Sequence, residues 1–188
     1  MNNKPNKFER MSEFATRSTH DITFAVTAEV LETKSREARS NSRKREMLAM
    51  QRSGSESLQR MLNAMEPGSY ARPHRHHAPP KVESLVLLAG SIGFVVFHDD
   101  GTPDLESSIL LHKTKGALAL DCRESVWHTF FAIEPGTVVF ESKSGPFDAK
   151  TDKESAPWAP EEGSPEAVPY LEWLAAEFRK KFPINPSE

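Results

Sequence analysis

From Leu58 onward the chain is a succession of short apolar runs cut by turn-forming residues, and that texture confines it to sheets. The runs span 58–64, 72–76, 83–88, 93–98, 107–112, 117–121, 127–133 and 137–142. Between them stand Glu66-Pro67-Gly68, Ala89-Gly90-Ser91, Asp99-Asp100-Gly101, Thr114-Lys115-Gly116 and Glu134-Pro135-Gly136. Proline presets one turn dihedral and glycine supplies the positive φ that other residues resist, so these are turns with a backbone reason behind them. Eight short strands at this spacing predict a mainly β domain, a sandwich or small barrel.

The flanks read differently. Residues 1–20 are polar and aperiodic and predict a flexible N-terminal tail. Ile22, Phe24 and Val26 alternate and permit a short strand. Residues 27–39 predict a helix with Ala28, Leu31, Ser35 and Ala38 on one stripe, ended by Ser40-Asn41-Ser42. Residues 43–51 fit either a short helix or an extended segment. Beyond the strands, Pro146, Pro157, Pro160 and Pro165 predict irregular chain over 145–165. A final helix is expected from Pro165 or Glu166 to about 181, with Ser164 as N-cap. Its stripe is Tyr170, Leu171, Leu174, Ala175 and Phe178, and Arg179, Lys180 and Lys181 meet the negative end of its dipole. The resulting division is a tail (1–20), a helical extension (21–56), a β-barrel (57–145), and a Pro-rich wrap with a C-terminal helix (146–188).

Several classes of function lose support. Cys122 is the only cysteine, so neither an intrachain disulfide nor a Cys-rich zinc site can form. No apolar run approaches the ~18 residues of a membrane span, and residues 1–10 lack the apolar middle of a signal peptide, so a cytoplasmic location is expected. Net charge is −3, yet residues 1–52 carry eleven Lys/Arg against seven Asp/Glu. Arg36, Arg39, Arg43, Lys44 and Arg45 invite a nucleic-acid reading. Interleaved acids argue instead for a solvated or folded-back face, so nucleic acid is not the expected partner.

One strand carries chemistry. On an extended chain residues i and i+2 share a face, so His74 and His76 project together, with Cα atoms ~7 Å apart. Glu83 follows in the next strand and His128 in a later one. Neutral imidazoles and a carboxylate suit first-row divalent metals such as Fe, Mn, Ni or Zn. His77 falls on the opposite face and reads as a rim residue. His20, His98 and His112 lack ligand spacing and read as surface or loop residues. Arg72 shares the face of His74 and His76 and is a candidate substrate-binding group, since a guanidinium fork takes carboxylate or phosphate. A surface ion pair is its blander reading. Trp127 should pack on the face away from His128, and Cys122 reads as a small buried residue.

The arrangement Gly68, five residues, His74-Arg75-His76, six residues, Glu83, six residues, Gly90 resembles the first motif of the cupins. A second cupin motif would run from Gly116 to His128. Arg123, Ser125 and Ala132 depart from it, standing where many cupins have Pro, Gly and Asn. The gap from His76 to Glu83 is longer than usual by the length of Ala78-Pro79-Pro80. Arg60-Met61-Leu62-Asn63-Ala64, Trp127-His128-Thr129, Gly145-Pro146-Phe147-Asp148 and Ala156-Pro157-Trp158-Ala159-Pro160-Glu161 look like the WbuC-type family of cupin-fold metalloproteins. The resemblance implies a jelly-roll β-barrel and one metal ion held by His74, His76, Glu83 and His128. It also implies a link to bacterial surface-polysaccharide gene clusters.

Two functions follow from that expectation. One is a metal-dependent enzyme acting on a small polar molecule, a sugar derivative or keto acid, by isomerisation, epimerisation, lyase chemistry or dioxygen insertion. The other is a non-catalytic metal-centred module that binds or senses such a ligand. No residue of the sequence stands out as a general base. Cupins often pair, so a homodimer is compatible with either.

Overall fold

The computed structural model describes residues 8–184. Its elements are β1 (Phe8–Ser12), β2 (Ala15–Ser18), α1 (Ala28–Ser40), β3 (Arg45–Ala49), β4 (Leu58–Met65), β5 (His74–Arg75), β6 (Glu83–Ala89) and β7 (Ser91–Phe97). They continue with β8 (Pro103–His112), β9 (Ala119–Cys122), β10 (Trp127–Ala132), β11 (Thr137–Ser144), β12 (Glu154–Ser155) and α2 (Ala167–Lys181). Two sheets face each other, one in the order β1-β2-β3-β4-β11-β6-β9 and the other in the order β12-β5-β10-β7-β8. The eight strands β4 to β11 fall into the interleaved orders β4-β11-β6-β9 and β5-β10-β7-β8, with only β7 and β8 consecutive in one sheet, so the fold is a single jelly-roll β-sandwich.

Strand alternation sorts the side chains into three apolar layers. Along β10, His128, Phe130 and Ala132 turn between the sheets, whereas Trp127 and Phe131 turn outward beneath α2. The inner layer is formed by Met65, Leu85, Ile92, Phe94, Leu120 and Val139, among others. Leu171, Leu174 and Phe178 of α2 cover the back of the smaller sheet. Val30 and Ala38 of α1 cover Leu48, Leu62, Ala64 and Val138 on the back of the larger one. Gly90 allows the turn from β6 to β7 at φ +69°, and a Cβ there would lie 2.7 Å from the Thr137 Cα.

Three expectations need correction. Residues 8–18 are not a loose tail but the hairpin β1–β2, which joins β3 in parallel through Ala15↔Met47 and Arg17↔Ala49. Polar contacts hold it: Lys34 Nζ donates to Thr16 Oγ1 at 2.8 Å, and Arg10 Nη1 donates to Glu46 Oε1 at 2.7 Å. Residues 1–7 of the expected tail lie outside the described residues. The 22–26 segment is not a strand, because no neighbour pairs with it, and Ile22 is 91% exposed. The extension 21–56 is not wholly helical: 45–49 is β3, and its ladder to β4 crosses the expected boundary at 56/57.

Both helices form where expected, with shifted details. Thr27 caps α1 by accepting from Val30 N, but the buried stripe is Val30, Lys34, Ser35 and Ala38. Lys34 is buried because Glu37 at 2.7 Å and Thr16 satisfy its ammonium. Helix α2 starts at Ala167 with Glu166 before it, and Ser164 Oγ caps nothing. Among the described residues no helix is long and apolar enough to cross a membrane.

Candidate metal centre

Three strands bring the histidines together. His74 on β5 pairs directly with His128 on β10, and β12 pairs β5 from its other side. Ring centroids are 4.6 Å apart for His74 and His128, 5.2 Å for His74 and His76, and 5.8 Å for His76 and His128. One ring nitrogen from each lies within 4.8 Å of the others, a spacing that can hold a metal ion. Glu83, at the start of β6, points into the same place. Its Oε2 is 3.3 Å from His76 Nε2 and its Oε1 is 2.8 Å from His128 Nε2. The extra Ala78-Pro79-Pro80 loop therefore does not displace it. Lys81 N donates to His76 O at 3.4 Å and closes that loop.

Each imidazole is oriented by a backbone carbonyl. His74 Nδ1 donates to Arg72 O at 3.0 Å, His128 Nδ1 to Val126 O at 2.9 Å, and His76 Nδ1 to Asp152 O. A carbonyl only accepts, so the proton sits on Nδ1 and the Nε2 lone pair faces the cavity. His76 Nε2, His128 Nε2 and Glu83 Oε1 are buried and lack a hydrogen-bond partner; the 2.8 Å approach of the last two does not have hydrogen-bond geometry. Buried acceptors aimed at one another require a cation between them, either a proton or a metal. Phe94 stacks on His128 at 5.2 Å and closes one side.

The electrostatics agree. Burial holds the His74 imidazole well below its usual range, with His128 and Lys153 adding to the effect. Burial pushes Glu83 up, but His128, His76 and His74 together bring it well below the usual carboxylate range. Burial pushes His128 down, yet the Glu83 carboxylate, with Cys122, carries it up to about 10. Without a metal, one proton belongs to the His128–Glu83 pair. Cys122 lies opposite Glu83 in the β6–β9 ladder, so the buried thiol neighbours the cluster in space.

His74, His76 and Glu83 of the cluster line a cavity of about 630 Å³. Arg72 does not line it. Its guanidinium donates to Ala156 O at 3.2 and 2.8 Å and lies 3.7 Å from Glu161. It ties the wrap to β5, a structural contact in place of the substrate contact expected. His77 is exposed and meets Ser125 Oγ at 2.9 Å, as a rim residue would. His112 is buried, against expectation: its Nδ1 accepts from Thr114 N and Lys115 N and shapes the turn after β8. Trp127 faces away from the cluster, with Asp99 on its indole N–H and Arg75 over its ring. The basic residues fold back, since Arg39 pairs with Glu66 while Arg43 and Arg45 pair with Glu162.

Glu141 is the cavity residue that motif reading missed. It follows Val139 on the inward face of β11, so strand alternation alone places it there. Burial raises its carboxyl pKa, the Glu83 charge adds to that, and Lys143 and an Asn63 hydrogen bond of 2.7 Å oppose it.

Residues 26–109, less than half of the chain, match a family described as a domain of unknown function (DUF6016). No curated protein matches the sequence. Among solved structures, the capsular polysaccharide assembling protein CapF from Staphylococcus aureus is 17% identical over 61% of this chain and 32% of its own, with a TM-score of 0.49. L-ribose isomerase from Cellulomonas parahominis, solved with L-psicose, is 13% identical over 61% of this chain and 70% of its own, at 0.46. The Mn(II)-containing oxalate decarboxylase of Bacillus subtilis is 20% identical over 53% of this chain and 24% of its own, at 0.40. The chain thus spans only about a third of CapF, and likenesses at this level carry no function across.

Proposed function

We propose that His74, His76, His128 and Glu83 hold one divalent first-row metal ion, and that the protein acts through it on a small polar molecule. The carrying observation is the set of buried, partnerless Nε2 and carboxylate atoms converging between the sheets. Three neutral imidazoles and one carboxylate fit Fe, Mn, Ni or Zn. A metal bound there supplies Lewis-acid polarisation of a ligand oxygen or activation of water.

The chain's own residues do the rest. The carbonyls of Arg72, Val126 and Asp152 fix the three rings, so the ligands are oriented before the ion arrives. Glu141, whose carboxyl pKa is raised by burial and by the Glu83 charge, stands on the cavity wall and is the group suited to general acid–base work. The motif likeness to WbuC-type proteins favours a sugar derivative or keto acid from surface-polysaccharide metabolism as the substrate class.

Elemental analysis of the purified protein tests the centre. His74→Ala and His128→Ala are each expected to lose most of the metal, and His77→Ala to keep it. Equal occupancy in all three overturns the assignment. Metal uptake at pH 7 should also release about one proton, because the His128–Glu83 pair holds one up to about pH 10. Calorimetry in buffers of different ionisation enthalpy reads that proton. Incubating the loaded protein with sugar and keto-acid panels separates the two functions: product identifies an enzyme, and saturable binding without product identifies a metal-centred binding module.

A further inference from the structure

Two cations on the cavity wall make no side-chain ion pair among the described residues. Arg17, on the inward face of β2, lines the cavity, and its buried Nε has no hydrogen-bond partner. Lys153 lines it from the wrap, one residue after Asp152, whose carboxylate is already taken by Lys81 and Lys143 at 2.8 Å each. Neither Arg17 nor Lys153 makes an ion pair or hydrogen bond through its side chain among the described residues. Arg45, Lys143 and Arg43 crowd Lys153 with like charge, and Glu162 opposes them. Around Glu162 the balance is three cations to one carboxylate, because Arg43 and Arg45 already share it. Arg17 keeps a buried Nε without a partner, a costly state that a ligand would relieve, and Lys153, exposed and lining the same cavity, can meet a ligand's charge.

The cavity's polar lining also has spare hydrogen-bonding capacity. Gln51 Oε1 accepts from Arg60 N, which leaves its amide N–H groups. Gln59 donates to Gly54 O and Glu56 O, and Asn63 donates to Glu141, which leaves both amide oxygens. All three side chains line the cavity. Unspent amide donors and acceptors match hydroxyl groups, which need both. Its volume of about 630 Å³ is that of a small-molecule site.

Resting on the reading of the cluster as a metal centre, we propose that the substrate is a polyhydroxylated small molecule carrying an anionic oxygen group, carboxylate or phosphate, with Lys153 and Arg17 as its charge partners. This places the anion recognition that sequence assigned to Arg72 on two residues remote from it in the chain. Anions of this kind bind cationic side chains through charge-assisted hydrogen bonds.

The test is calorimetric titration of the full-length protein with glucuronate, glucose 1-phosphate and glucose, with metal content measured in every sample. At least one of the two anions is expected to bind saturably and at least about tenfold more tightly than glucose. The double variant Arg17→Met/Lys153→Met should lose at least about tenfold of that affinity with metal content unchanged, and Arg17→Lys/Lys153→Arg should retain most of it. The tighter anion identifies the group as carboxylate or phosphate. Glucose binding as tightly as the anions, no saturable binding of either anion, or unchanged anion affinity in the double Met variant overturns the proposal. Wild-type protein that takes up no metal sinks the metal centre alone, and charge-dependent anion binding by it leaves this subsite standing.

Discussion

The central strands β4 to β11 and the segments that flank them are held by different forces. The centre rests on backbone ladders, glycine-permitted turns and apolar layers. The flanks rest on buried or half-buried charge: Lys34 with Glu37, Arg45 with Glu162, and Asp152 between Lys81 and Lys143. Yet the cluster draws on both. Its imidazoles and carboxylate belong to the centre, while the carbonyl that orients His76 belongs to the wrap. A jelly roll supplies a place for donors, and the flanks decide how firmly one of them points.

The comparison is sharpest at Asp152. Asp152→Ala strands two buried ammonium groups and should cost about 3–5 kcal/mol. Urea unfolding of the metal-free protein measures it, and a cost under about 1 kcal/mol would mean that the flank is not held by charge. The matching change in the centre is Gly90→Ala. The left-handed backbone and the clash with Thr137 should together cost about 2–5 kcal/mol. A tolerated alanine there would show that the turn between β6 and β7 can relax.

Acid should loosen the wrap through Glu162. Burial pushes this carboxyl up, but Arg45 and Arg43 outweigh it and lower it to about 2. A folded pKa below the unfolded one gives stability that is present above pH 4.5 and is lost as pH falls toward 2. Glu162→Gln should therefore flatten the dependence of the urea midpoint on pH across that window; an unchanged slope contradicts the role of the pair. The smallest effect is expected at Ser125, whose φ is +65°. Ser125→Gly should stabilise by about 1 kcal/mol, since glycine enters that region without strain. A loss of stability would show that the Ser125–His77 hydrogen bond matters more than the backbone.

All eight central strands were legible because period-two alternation and turn residues are local signals. The same alternation put His74 and His76 on one face, whereas Glu83 and His128 were joined to them through the likeness to the cupin motifs. Ser125 shows why a motif departure can be harmless: the backbone there keeps the conformation that a glycine would take. The hairpin β1–β2 was not legible, since its burial comes from Lys34 and Glu46, remote in sequence. Arg72 misled because face-sharing with His74 says nothing of the Ala156 carbonyl that captures it. Glu141 gains its character from burial and from charges on other strands, and Lys153 from charges brought together across the fold, which no local pattern encodes.

The Asp152 carbonyl on His76 has a consequence for biogenesis. A growing polypeptide presents its N-terminal portions first, so all four donors have been made once His128 is in place. The group that aims His76 is added only later, with Asp152. During translation, then, the nascent protein holds its donor atoms but not their full alignment. On the proposed metal centre, selective uptake of an ion therefore waits until the wrap has been made and has folded back onto His76, and before that the looser imidazoles face whatever cation is abundant.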